Sequence, residues 1–179
     1  MKIYLVRHAE TDENTSGIMQ GRSINSRLNR RGIMQANEVK NALKDIDFNV
    51  CFTSPLIRCW STAMIVGGDR IEIKEDKRLV ERYLGNFEGK ERKTYDVSKY
   101  WDYKLNSSDE DVESIRDILK RCEDFLTYLK DNYSDDDNIL IVTHNAIVKG
   151  IMNILENKNY PDSLILYDIK NGYYKSYDI

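Results

Sequence analysis

Residues 1–14 read MKIYLVRHAETDEN, and residues 137–146 read DNILIVTHNA. In each stretch a short apolar run ends abruptly on a histidine, and these are the two histidines of the chain, His8 and His144. An apolar run without polar alternation predicts a strand covered on both faces, which is the signature of a parallel sheet between helices. A third run, residues 50–54, ends at Ser54-Pro55, where a helix can begin because its first turn does not need the missing N–H. The three strand ends carry His8, Ser54 and His144. In open α/β sheets ligands gather at the carboxyl ends of strands.

Between these runs the 3.6-residue period predicts helices. Residues 32–43 present Ile33, Ala36, Val39, Ala42 and Leu43 as a stripe. A helix over 56–66 stops at Gly67-Gly68. Residues 114–133 and 146–155 are also helical, residues 71–74 form a short edge strand, and residues 12–31 read as a long loop. Met19, Met34 and Met64 are read as core filler. Residues 163–169 and 173–177, around Asn171-Gly172, form a hairpin signal. The expected fold is α/β: a three-layer sandwich with a mainly parallel central sheet, helices on both faces and a C-terminal antiparallel hairpin. Residues 1–179 are expected to form one domain, with residues 86–111 as a cap over the substrate mouth.

At 179 residues, with 41% hydrophobic and 32% charged residues, the chain can bury a proper core and is not disordered. The net charge of −3 leaves no broad basic surface, so neither nucleic acid nor an anionic membrane is expected as a partner. Cys51, Cys59 and Cys122 form no CxxC pair, which argues for reduced thiols rather than a disulfide framework or zinc site. No leader and no membrane span are read, and a cytoplasmic protein is expected. The sequence sets no oligomeric state.

Arg7, His8, Arg58 and His144 together would make an anion trap, since guanidinium forks match phosphate oxygens. The helix after His144 would add its N-terminal N–H groups. Two histidines without clustered carboxylates are a poor metal set, so no metal and no cofactor are expected. No phosphate-binding GxxxxGK[ST] loop or kinase signature is present. That leaves a side-chain nucleophile, and a neutral histidine is one.

Five segments carry a family resemblance. LVRHAET with Asn14; Gly21-Arg22, Leu28 through Gly32 and Gln35-Ala36; Ser54-Pro55-Leu56-Ile57-Arg58 with Thr62-Ala63; Leu79, Glu81, Gly85 and Phe87-Glu88-Gly89; and Val142-Thr143-His144-Asn145 follow one another as the motifs of the histidine phosphatase superfamily do. The chain resembles that family, which includes the cofactor-dependent phosphoglycerate mutases. Ala9 and Asn145 stand where the family commonly has glycine, and Asn25 and Ser26 where it commonly has aspartate and proline.

The resemblance implies a metal-independent phosphatase that hydrolyses a small phosphorylated metabolite through a phosphohistidine on His8. It implies that Arg7, Arg58 and His144 hold the phosphoryl oxygens, and that Glu81 protonates the leaving oxygen and then deprotonates water. A carboxyl beside a phosphate dianion is driven toward its acid form, which suits that role. Asn14, Gly21, Arg22 and Asn145 are expected to contact substrate. The shared catalytic set leaves two alternatives, a phosphoglycerate mutase and a non-catalytic module that binds phosphorylated ligands. The mutases of the family carry a longer insertion after the glutamate segment and an extended tail, and this short chain favours the hydrolase. Lys90, Arg92, Lys93 and Lys99 are placed to attract anions. Tyr95, Tyr100, Trp101 and Tyr103 either stack on substrate or pack the cap.

Overall fold

A computed structural model describes residues 1–156 and 169–179. The central sheet holds β1 (Lys2–Arg7), β2 (Val50–Thr53), β3 (Ile73–Glu75), β4 (Asn138–Thr143) and β5 (Tyr174–Asp178). Their order is β3-β2-β4-β1-β5. All neighbours are parallel except β5, which runs antiparallel to β1.

The apolar runs make these strands two-sided, because alternate side chains enter different layers. Ile3, Leu5, Val50, Phe52, Ile139 and Ile141 pack on one face with α4 (Ile115–Asn132) and α5 (Asn145–Leu155). Tyr4, Val6, Cys51, Leu140 and Val142 pack on the other with Val39 of α2 (Arg30–Ala42) and Cys59, Ala63 and Val66 of α3 (Ile57–Gly67). Each fully buried aliphatic or aromatic side chain contributes about 1.5–3 kcal/mol. The expected three-layer α/β sandwich is therefore present.

Of the four parallel strands the chain enters β4 last and inserts it between β2 and β1. Register pairs Arg7 with Thr143, and Thr53 with Val142. His8, Ser54 and His144 thus emerge side by side at the sheet's carboxyl edge, where the strand order reverses. The ladder continues one residue beyond the strands, with His8 N donating to Thr143 O at 2.8 Å and Ser54 N to Val142 O at 3.1 Å.

Several local expectations are corrected. The stretch 12–31 is not all loop: α1 (Asp12–Thr15) is closed by a reciprocal capping box between Thr11 and Asn14. Helix α2 starts at Arg30, two residues early, because the Asn29 side chain accepts from Gly32 N at 2.8 Å and caps it. Gly32 lies against the β1 exit; a Cβ there would meet Glu10 O at 2.1 Å. Ile33 and Ala42 are exposed, and the buried stripe is Gly32, Ala36 and Val39, with Leu43 just beyond. Met34 is 58% exposed, not core filler. The edge strand runs over Ile73–Glu75 rather than 71–74. Of the expected hairpin, the second arm is β5 and Gly172 takes the left-handed turn conformation at φ 72°; residues 163–168 of the first arm lie outside the described residues.

Residues 85–111 hold four short 3₁₀ turns, at 85–87, 92–94, 98–101 and 109–111, joined by irregular chain. Phe87 and Tyr100 cluster with Met19 and Val112, and Trp101 joins the main core. Tyr100 and Trp101 therefore pack, while Tyr95 stays exposed. The three cysteines are buried free thiols. No helix among the described residues is long and apolar enough to cross a membrane.

Candidate active site

A cavity of about 560 Å³, partly open among the described residues, lies over the sheet's carboxyl edge. Arg7, His8, Asn14, Arg58, Glu81 and Asn145 line it, as does Gly21.

His8 is held from several directions. Its carbonyl accepts from Asn171 Nδ2 at 3.1 Å and from Gly172 N at 3.3 Å. The next residue, Ala9, is fully buried and its N–H donates to Thr62 Oγ1 at 3.1 Å. His8 Nδ1 lies 2.8 Å from Ala9 O. A carbonyl can only accept, so Nδ1 carries the proton and Nε2 keeps its lone pair. Burial, then the Arg58 and Arg7 charges, hold the His8 pKa well below the ordinary 6.5, against the opposing pull of the Ala9 bond. The imidazole is neutral at pH 7.

His144 is the N-cap of α5 and is fully buried. Its ring centroid lies 5.2 Å from that of His8, edge to face. Nε2 is 2.8 Å from Ser54 Oγ and 3.3 Å from Cys59 Sγ. Burial, then Arg58 and His8, push its pKa well below 6.5. His144 is in ring contact with His8 and is not among the residues lining the cavity.

Arg58, in the first turn of α3, is 1% exposed. It donates to Ile24 O at 2.8 Å and to Gly21 O at 2.7 Å. Its Nε is buried without a hydrogen-bond partner among the described residues. Asn25 caps the same helix, its Oδ1 accepting from Ile57 N at 2.7 Å. Arg7 donates to Ile169 O. Asn14 Oδ1 accepts from Thr11 N and Asn171 Nδ2, both at 3.1 Å. Those two donors fix which amide atom is the oxygen.

Glu81 Oε1 accepts from Arg82 N at 2.8 Å and from Ala146 N at 3.2 Å, so the carboxyl sits on the first turn of α5. Arg22 is not among the residues that line the cavity. It donates to Glu81 O at 3.3 Å and pairs with Glu113 at 2.5 Å. Glu113 also pairs with Arg121, whose guanidinium bonds Arg78 O and Val80 O at 2.6 Å each. Burial would raise the Glu113 pKa, but the Arg121 and Arg22 charges and the Tyr83 N–H outweigh it and hold the carboxyl below its ordinary range. This lattice, together with Thr143 Oγ1 donating to Leu79 O at 2.7 Å, aims the Glu81 segment at the sheet edge. Asn145 is ordinary helix here, so no left-handed backbone is required of it.

Gln20, Ile169 and Asn171 also line the cavity without having been singled out by sequence. Asn171 is legible only as a turn residue until its amide is seen on the His8 carbonyl. Lys149 lines it as well; a lysine inside the otherwise apolar α5 run was the available signal. Among the described residues no three His, Cys, Asp or Glu side chains converge as a metal site.

The two neutral imidazoles predict a pH dependence of stability. Each takes up a proton near pH 6.5 when unfolded but resists it when folded, so stability is lost as pH falls below about 6.5. The slope is about 1.4 kcal/mol per pH unit per histidine until the folded groups titrate. Urea midpoints should fall between about pH 6.5 and 5, and His144→Gln should lessen that slope. A flat profile over this window would contradict the burial argument.

The sequence profile described as Histidine phosphatase superfamily (branch 1) matches residues 3–172. The adenosylcobalamin/alpha-ribazole phosphatase of Salmonella typhimurium is 30% identical over 156 residues, covering 83% of this chain and 76% of that protein. A 2,3-bisphosphoglycerate-dependent phosphoglycerate mutase of Thermoplasma acidophilum is 32% identical over 115 residues; the match covers 63% of this chain and 58% of that one. Among solved structures, a phosphoserine phosphatase from Entamoeba histolytica in complex with 3-phosphoglyceric acid superposes with TM-score 0.80 at 28% identity, over 98% of this chain and 89% of that one.

Proposed function

The chain belongs to branch 1 of the histidine phosphatase superfamily, and from that premise we propose that it hydrolyses a small phosphate monoester through a phosphohistidine on His8. The observation that carries this reading is the tautomer of His8: Nδ1 is committed to Ala9 O, which leaves Nε2 as a neutral nucleophile in the arginine-lined cavity.

In the first step Nε2 attacks phosphorus while the ester P–O bond breaks. Glu81, as the acid, gives its proton to the departing alkoxide. In the second step Glu81, now a carboxylate, takes a proton from water as that water attacks phosphorus. The P–N bond breaks and inorganic phosphate leaves. Arg7 and Arg58 neutralise the equatorial oxygens; the orphan Arg58 Nε is a donor that such an oxygen would satisfy. His144 supports His8 through the ring contact, Asn14, Gly21 and Asn145 contact the phosphoryl group, and Arg22 acts on the Glu81 segment. Because the described residues leave the cavity partly open, water can reach the phosphoenzyme, which favours hydrolysis.

The Thermoplasma acidophilum relative keeps a mutase as the second reading. A panel of phosphate monoesters should release inorganic phosphate faster than the protein interconverts the two phosphoglycerates, with or without a bisphosphate primer. The opposite ranking would make it a mutase. We read residues 1–179 as one domain with 86–111 capping the mouth. The free thiols support a cytoplasmic setting, and the net charge of −3 supports a small metabolite rather than nucleic acid or membrane as partner.

A further inference from the structure

The tautomer of His8 depends on one acceptor, the carbonyl of Ala9, so whatever holds that carbonyl also holds the ring. A peptide unit is planar and polarisable: a partner that accepts from its N–H makes its oxygen a better acceptor. The carbonyl of Ala9 and the N–H of Glu10 belong to one such unit. That N–H donates to Gln35 Oε1 at 2.9 Å. A backbone N–H only donates, so the contacting atom of the Gln35 amide is its oxygen. A continuous line therefore runs from Gln35 through the Ala9–Glu10 peptide to His8 Nδ1–H, and across the ring to Nε2 in the phosphate cavity.

Helix α2 builds this line. Gly32 permits the close approach, since a Cβ there would meet Glu10 O at 2.1 Å and Glu10 N at 2.9 Å. At the start of the same helix the Asn29 N–H donates to Glu10 O at 3.0 Å. Gln35 lies three residues beyond Gly32 on that face and so reaches the Glu10 N–H. The C-terminal turn packs against its stem: a Cβ on Gly172 would come within 3.3 Å of Gln35 Cβ. The preceding peptide unit is held too, with His8 O accepting from Asn171 and Gly172, and the Ala9 N–H donating to Thr62.

Attack of Nε2 on phosphorus leaves a positive charge on the imidazole, shared between both nitrogens. Nδ1 keeps its proton throughout, and its bond to Ala9 O strengthens as the charge grows. We propose that Gln35 is a positioning residue for the reaction: by accepting from the Glu10 N–H it orients and polarises the peptide that holds the His8 Nδ1 proton, and so favours phosphorylation of Nε2. This inference rests on the phosphatase reading above.

Two variants of opposite electrostatic sense test it. Gln35→Met keeps the length and the helix propensity but removes the acceptor. Gln35→Glu keeps the acceptor and adds negative charge. Protein labelled with ¹⁵N-histidine carries two imidazoles, and His8→Asn assigns the His8 signals. The His8 Nδ1 proton should move upfield in Gln35→Met, as its bond to Ala9 O weakens. In Gln35→Glu it should stay or move downfield. A merely structural role would disturb both variants alike. With saturating p-nitrophenyl phosphate, Gln35→Met should slow single-turnover release of p-nitrophenolate by roughly 3- to 10-fold, the kinetic equivalent of one neutral hydrogen bond. KM should stay near the wild-type value, and Gln35→Glu should recover most of the loss. If Gln35→Met does not fold, Gln35→Ala takes its place. A His8 proton that does not move upfield when the acceptor is removed, or that moves upfield in both variants, overturns the proposal. So does a folded Gln35→Met protein that is phosphorylated at the wild-type rate. A wild type that releases no p-nitrophenolate sinks the phosphatase reading and takes this role with it, whereas an active wild type with like shifts in both variants sinks the role of Gln35 alone.

Discussion

His8→Ala is expected to lower phosphate release by roughly 10⁴- to 10⁶-fold, the range seen when a covalent nucleophile is removed. Arg7, Arg58 and Glu81 remain in the variant, so binding should survive and the loss should fall on kcat rather than KM. Removing a buried ring also leaves a cavity beside His144, and some stability will go with it. His8→Asn keeps more of the volume and separates the two effects. It should retain a cooperative unfolding transition near that of the wild type, yet be as inactive as His8→Ala. Substantial turnover by the folded His8→Asn protein would remove histidine from the reaction.

Glu81→Gln is expected to have the next largest effect, about 10²- to 10⁴-fold on alkyl phosphates. The substitution is a clean one, because a glutamine oxygen can still accept from Arg82 N and Ala146 N and so keep the side chain seated. What is lost is the proton. An alkoxide needs that proton to leave, whereas p-nitrophenolate does not. The variant should therefore form phosphoenzyme readily from p-nitrophenyl phosphate and then stall, because the base for water is missing too. Pre-steady-state kinetics should show a burst of p-nitrophenolate followed by a slow phase. Equal losses on alkyl and nitrophenyl substrates, with no burst, would mean that Glu81 does not handle the proton.

Much of this arrangement was legible in the sequence because the strands are continuous apolar runs. Such runs mark a parallel sheet, and they end where the chemistry-bearing residues begin. His8, Ser54 and His144 could be placed at one edge for that reason alone. The errors have a common origin in side chains that bond to backbone. Asn29 advances the start of α2 by capping Gly32, and the Thr11–Asn14 box makes a helical turn out of a polar stretch that has no hydrophobic period to reveal it. Ile33 and Ala42 followed the stripe in sequence but not in space, because Gly32 pressed against Glu10 turns the face of α2 inward at Ala36 and Val39. What the motif could not show is that Arg22 also bonds Glu113 and the Glu81 carbonyl, 91 and 59 residues away. No local period encodes that separation. Asn171 escaped for the same reason, since a turn residue acquires meaning only when the sheet edge brings it to His8.

The most direct test of the central claim is to mix the wild-type protein with radiolabelled substrate, quench within the first turnover under alkaline denaturing conditions, and map the label by mass spectrometry. The account predicts acid-labile phosphate on the peptide containing His8, attached at Nε2, appearing before free phosphate. Label on any other residue, or release of phosphate in a single turnover with no labelled protein at any quench time, would contradict it.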